Sequence, residues 1–140
     1  MKRSITLCLS LALVAMSLVP ATRTSGQAIP SIQAFWTKFK MAVIKGDKEA
    51  VATMSQFPIG MPYGVPPVKN RTQLSKRYLE VFNGEANAAR CFANAFTKAG
   101  NKPNSFTVGC KNSAGDEVVI YTFVLTRAGW KFKSLDNLNE

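Results

Sequence analysis

The chemistry open to this chain is limited first by a missing residue type: its 140 residues include no histidine. Without an imidazole, Ser-His-Asp and Cys-His nucleophilic mechanisms are excluded, and so is every histidine metal site. Acid–base work falls to carboxylates, lysines, tyrosines and hydroxyls. The 8 acidic residues are not grouped as oxygen ligands for a metal. Asp116-Glu117 is the sole adjacent pair and sits in a stretch that reads as a turn, where a solvated role is the ordinary one. No residue pattern implies a cofactor.

Cysteine is the remaining reactive type. Cys8 lies in an apolar N-terminal run, too early in it to be a lipidated N-terminal cysteine, which leaves Cys91 and Cys110 for the folded domain. In an exported domain two cysteines suggest a disulfide. A bridge between them closes a loop of about 20 residues and contributes roughly 3 kcal/mol. The alternative is two buried free thiols; a catalytic thiol has no imidazole to activate it.

Export is the expectation because residues 1–28 have the three parts of a secretory signal. Lys2 and Arg3 give a positive start, Ile5 to Val19 is an apolar run, and Pro20 is followed by the small polar tail Ala21 to Ala28. The run is about 15 residues, short of the ~20 needed to span a bilayer. Cleavage is expected within residues 21–28, leaving residues 29–140 as a single domain in a periplasm or outside the cell, with no transmembrane segment.

Of 18 basic residues, 3 leave with the signal, and the other 15 face 8 acids, so the mature charge is about +7. Such a surface attracts polyanions. The densest cluster is Lys69, Arg71, Lys76 and Arg77, but the charges are otherwise scattered and solubility alone accounts for them. No basic-aromatic arrangement reads single-stranded bases, so sequence-specific nucleic-acid recognition is not expected.

The elements follow from periodicity. Ile32, Phe35, Trp36, Phe39, Ala42 and Val43 form one apolar stripe at helical spacing, with Ser31 to cap it and Gly46 to end it. Asp47 caps a second helix, about Lys48 to Ser55. Pro58, Pro62, Pro66 and Pro67 rule out a helix or central strand from Phe57 to Val68; Phe57-Pro58-Ile59 reads as a short edge strand, and Gly60 to Lys69 as a loop or flap carrying Met61, Tyr63 and Val65. A third helix runs from Asn70 or Thr72 to Asn83-Gly84 with Leu74, Tyr78, Val81 and Phe82 inward, and a fourth spans Ala86 to Phe96. Asn70 reads as a helix cap, although Asn70-Arg71-Thr72 also fits a glycosylation sequon. From Phe106 the period changes to two. Phe106, Val108 and Cys110 alternate with polar or small residues, and a turn leads to a strand from Glu117 to Thr126 that is apolar on both faces. Arg127-Ala128-Gly129 turns the chain into Trp130, Phe132 and Leu135. A strand apolar on both sides needs cover on both, from helices on one and in part from a second subunit on the other. Helices first and an antiparallel meander last make an α+β domain, with N-terminal helices packed on one face of a curved antiparallel sheet.

Segments in this order resemble the nuclear-transport-factor-2-like superfamily, a cone-shaped α+β fold. The opening helix Phe35 to Val43 with Gly46-Asp47, then Phe57-Pro58-Ile59, then Leu74 to Phe82, then Val119 to Phe123 turning into Gly129-Trp130-Lys131-Phe132 carry the resemblance. It implies a pocket between the helices and the concave sheet, and often a dimer. Members include isomerases, cyclases, dehydratases and non-catalytic binding modules. The isomerase pattern needs a carboxylate inside the cone and a tyrosine or protonated acid as oxyanion donor. Here the first helix offers Phe35, Trp36 and Phe39, and the strands offer no interior acid; Glu117 and Asp136 lie near strand ends.

The expected function is therefore a non-catalytic exported module that binds a small apolar ligand or a protein partner. Tyr78, Tyr121 and Trp130 are its candidate pocket lining, unless these aromatics simply fill the core. A small-molecule isomerase or hydrolase would use Asp136 or Glu117 as base and Tyr121 as donor. A polyanion-binding surface would use Lys69, Arg71, Lys76 and Arg77.

Overall fold

The first helix forms where the apolar stripe places it, as seen in a computed structural model that describes residues 30–99, 103–116 and 118–138. The segment read as an export signal, and Glu117, lie outside the described residues. Helix α1, Ile32–Lys45, starts at Ser31, whose hydroxyl accepts from the Ala34 N–H at 3.2 Å. It ends at Gly46, which turns the chain through φ 68°, a left-handed conformation that costs glycine little. The stripe Phe35, Trp36, Phe39, Ala42 and Val43 is buried throughout.

Helix α2, Lys48–Thr53, is capped by the Asp47 carboxylate, which accepts from Ala50 N–H. It stops short of the expected Ser55 because the sheet captures the chain: the Phe132 N–H donates to the Met54 carbonyl at 2.8 Å, and Ser55 already opens strand β1, Ser55–Gly60. The third expected helix is two short ones, α3, Arg71–Lys76, and α4, Tyr78–Asn83, broken at Arg77. The break permits both Leu74 and the Tyr78, Val81, Phe82 stripe to be buried. Asn70 caps α3 by accepting from Gln73 N–H. Helix α5, Ala88–Asn94, is shorter than the expected 86–96 because Ala95 adopts an extended backbone.

Strands β2, Lys98–Ala99, β3, Ser105–Lys111, β4, Val118–Thr126, and β5, Gly129–Asn137, complete a five-stranded sheet in the order β1-β5-β4-β3-β2. From β2 to β5 it is the expected antiparallel meander. The sheet as a whole is mixed, which corrects the all-antiparallel expectation, because β1 runs parallel to β5. Adjacent strands joined by a tight turn must be antiparallel, whereas β1 and β5 are separated by three helices and the meander and are free to align. Pro58 is tolerated because β1 is an edge strand, and the Phe57–Pro58 peptide is cis.

One irregularity decides which C-terminal side chains point inward. Thr122 pairs with Ser134 but Phe123 pairs with Phe132, so Lys133 is an extra residue on β5. This bulge lets Phe132 and Leu135, three apart, share the buried face. Cys91 on α5 is bridged to Cys110 on β3, with Cα atoms 5.8 Å apart, which ties the helix layer to the sheet.

Candidate functional site

The concave face of the sheet is where a pocket was expected, and it is occupied by the protein's own rings. Phe106, Tyr121 and Phe123 from β3 and β4, and Phe132 from β5, meet Phe35, Trp36 and Phe39 of α1, Phe82 of α4 and Phe92 of α5. Phe39 stands edge-on to Phe123 with centroids 4.9 Å apart, and Phe106 stacks on Phe123 at 4.6 Å. Among the described residues no Asp, Glu, Lys or Arg is buried.

The three candidate lining residues belong to this packing. Tyr121 is 1% exposed, set between Phe82, Phe92 and Phe132, and its hydroxyl donates to the Val81 carbonyl at 3.5 Å. Tyr78 packs on Phe82, and its hydroxyl donates to the Val43 carbonyl at 3.5 Å. Burial pushes the Tyr78 phenol up to about 12, helped by the negative charge of Asp47. Burial raises Tyr121 as well, with Glu85 adding to it. Both phenols are thus held neutral, and each directs its one proton to a backbone carbonyl instead of an open site. Trp130 is half-buried, edge-on to Phe106 at 5.2 Å. The structure brings the three together only as parts of one core.

The candidate base Asp136 is exposed and accepts from Ser134 Oγ at 3.2 Å; Glu117 lies outside the described residues. No group of His, Cys, Asp or Glu among the described residues could hold a metal ion, and no helix among them is long and apolar enough to cross a membrane.

The basic cluster is divided by internal bonds. Arg77 forks onto Glu80 at 2.8 and 2.6 Å and also donates to the Pro66 carbonyl. This pair raises Arg77 and lowers Glu80 from their ordinary values, chiefly through the shared hydrogen bonds. Arg71 reaches Thr53 Oγ1 and lies 3.7 Å from Glu49. Only Lys69 and Lys76 of the four remain without an ion pair among the described residues, and both are exposed. In the flap, Tyr63 is 93% exposed while Met61 packs against the core.

The cavities that remain open at the surface. One of about 490 Å³ is a shallow groove between α1 and α2, with Met41, Ala42, Ala50 and Met54 in it and Lys38 and Lys45 at its rim. Another, of about 300 Å³, has Tyr78 beside Ile44 and Leu79. A third, of about 410 Å³, lies against the disulfide and includes Arg90 and Lys111. These two cations escaped notice in the sequence, yet the signal was present: each is the chain neighbour of a bridged cysteine, in Arg90-Cys91 and Cys110-Lys111.

The class defined by this geometry is an α+β domain with helices on one face of a curved, mixed sheet. No protein-family model matches the sequence, and no curated protein matches it. Solved structures do align with it. An NTF2-like protein with a cystatin-like fold from Novosphingobium aromaticivorans is 15% identical over 74% of this chain and 75% of its own, with a TM-score of 0.43. A ketosteroid isomerase-like protein from Erwinia carotovora atroseptica is 16% identical over 76% and 91%, with a TM-score of 0.45. A domain of unknown function with a cystatin-like fold from Nostoc punctiforme is 15% identical over 78% and 75%, with a TM-score of 0.46. At these identities and scores the likenesses say nothing of activity.

Proposed function

We propose that this chain is an exported, non-catalytic interaction module that engages its partner or ligand through its outer surfaces rather than through the hollow of the cone. The observation that carries this reading is the filling of the concave face by interlocking aromatic rings, with no buried charge among the described residues. An acid–base enzyme needs a carboxylate within hydrogen-bond reach of substrate and an enclosed place for that substrate. Here Asp136 faces solvent and the tyrosine hydroxyls are spent on backbone carbonyls. Export rests on the N-terminal sequence, and mass spectrometry of the protein recovered from the cell envelope or medium tests it, the expected mass being that of a chain starting within residues 21–28.

Binding is tested by titrating the mature domain with the apolar fluorophore anilinonaphthalene sulfonate. Weak, non-saturating enhancement is expected. Saturable one-to-one uptake with quenching of Trp36, which sits in the ring cluster, would overturn the closed-interior reading. Sedimentation over a range of protein concentrations decides whether the partner is a second copy.

A further inference from the structure

We propose that the cleft beside the Cys91–Cys110 bridge binds a phosphoryl oxyanion, with Arg90 and Lys111 as its two cationic walls. The argument begins with the bridge. Its Cα atoms are 5.8 Å apart, and each cysteine is chain neighbour to one cation. One trans peptide spans about 3.8 Å between Cα atoms, so the Cα atoms of Arg90 and Lys111 lie no more than about 13 Å apart. A covalent bond therefore limits how far apart the backbone positions of two cations can lie although they belong to different elements, α5 and β3. Both line one cleft of about 410 Å³, together with Asn87, Asn112 and Ser113.

The chemistry of the lining is one-sided. Neither cation has an ion pair among the described residues, in contrast to Arg71 and Arg77. The Asn87 side-chain oxygen accepts from the Arg90 N–H, which leaves its amide N–H₂ to donate. Ser113 adds a hydroxyl. The Asn112 oxygen accepts from the Gly115 N–H at 2.7 Å, and its amide donates to Asp116 at 2.9 Å, so Asn112 serves to shape the turn. Among the described residues no carboxylate lines the cleft, Asp116 standing behind Asn112. A guanidinium offers a planar fork to two phosphoryl oxygens, and an ammonium offers a compact charge to a third. The space is larger than a bare phosphate needs and admits a phosphate ester with a small organic group. A soluble phosphate ester and a phospholipid headgroup present the same oxyanion.

The test measures binding of inorganic phosphate to the intact, oxidised mature domain by backbone amide shifts in NMR. Sodium chloride is held at equal ionic strength throughout. Shifts should concentrate at residues 87–91 and 111–113. The double variant Arg90→Gln/Lys111→Gln should weaken binding about tenfold or more per cation removed. The control Lys98→Gln/Arg127→Gln removes one lysine and one arginine that are exposed and do not line the cleft, and should leave binding unchanged. A parallel arm uses vesicles of phosphatidylglycerol in phosphatidylcholine. Free phosphate displacing the protein from vesicles marks a soluble ester as sufficient; retention against phosphate marks the headgroup as the source. Either behaviour, lost in the double variant alone, supports the site. Binding of neither probe, or equal losses in the double variant and the control, overturns it.

Discussion

The two faces of the sheet differ in almost every property that decides what a surface can do. The inner face presents Phe106, Val108, Cys110, Val119, Tyr121, Phe123, Phe132 and Leu135, all buried under the helices. The outer face presents Thr107, Gly109, Val118, Ile120, Thr122 and Val124, with Lys131 and Lys133, and apart from exposed Gly109 these are half-buried. From Ile120 to Val124 neighbouring positions of β4 thus alternate between a β-branched side chain facing out and a ring facing in. The strand was expected to need protein cover on both sides. On the outer side the lysines of β5 lean away from β4: Lys131 Nζ donates to the Thr53 carbonyl at 2.6 Å and Lys133 Nζ to the Pro58 carbonyl at 3.3 Å, which draws their stems toward β1. The contrast teaches that most of the aromatic side chains hold the fold, Tyr63 and Phe96 being the exposed ones among the described residues.

The largest test of that contrast compares adjacent residues of one strand. Phe123 touches Phe35, Trp36, Phe39, Phe106 and Phe132. Phe123→Ala should cost about 3–5 kcal/mol in urea unfolding, from lost transfer energy plus a cavity. Val124→Ala, one residue on but on the outer face, should cost about 1 kcal/mol or less, since its side chain is only half-buried and leaves no closed cavity. Equal losses at both positions would erase the distinction between the faces.

Next in size is the bridge that fastens the helix layer to the inner face. Replacing both cysteines in Cys91→Ala/Cys110→Ala should cost about 2–4 kcal/mol, mainly by freeing the unfolded chain. Cys110 is buried on the inner face and Cys91 is only half-buried. Chemical reduction of the wild type should therefore give a similar loss, measured as a lowered unfolding midpoint with little change in the far-ultraviolet spectrum.

How much of this was legible in the sequence follows from the range of the interactions. The α1 stripe, the Ser31, Asp47 and Asn70 caps, the Gly46 stop and the β3–β5 meander are set by residues within a few positions of one another, and periodicity reads them. The disulfide was legible because residues 29–140 hold just two cysteines, Cys91 and Cys110. The parallel docking of β1 was not, since it depends on the path of the whole intervening chain. Nor was the bulge at Lys133, although the three-residue step from Phe132 to Leu135 already departs from a period of two. The candidate site fared worse for a related reason. Tyr78, Tyr121 and Trp130 have types that suit either a pocket or a core, and only three-dimensional packing distinguishes them. Arg71 looks free in sequence but meets Glu49 in space, whereas Arg77 and Glu80 stand three apart, a pairing that helical spacing makes legible.

A smaller effect tests whether the inner tyrosines are structural. Tyr78 carries a phenol whose folded value is raised from 10.0 to about 12. A group raised on folding contributes stability that is fully present below its unfolded value and is lost as pH rises through the folded one. Unfolding free energy should therefore fall between pH 10 and about pH 12 on this account, as the unfolded chain ionises and the folded one does not. Tyr78→Phe should remove part of that fall, and at neutral pH should cost only about 0.5–1 kcal/mol for a single long hydrogen bond. A variant that is no less sensitive to alkali than the wild type would show that Tyr78 is already open to solvent.

The smallest expected effect lies on the outer face, and its size is informative because two contributions oppose. Gly109 is exposed on β3, and a Cβ there would stand 3.3 Å from Val118 Cγ1 and 3.4 Å from Ile120 Cδ1. Glycine within a strand is costly by roughly 0.5–1 kcal/mol relative to alanine, so Gly109→Ala gains that much backbone order. Against it, two side chains must give by a few tenths of an ångström. Both are half-buried and face the open side, so they can yield. The net change should stay within about 0.5 kcal/mol, and it should not depend on protein concentration if the face is free. If a second copy packs on this face, the added methyl would push Val118 and Ile120 into it. The variant would then lose stability at high protein concentration and less so on dilution, a pattern that unfolding curves at two concentrations a hundredfold apart would reveal.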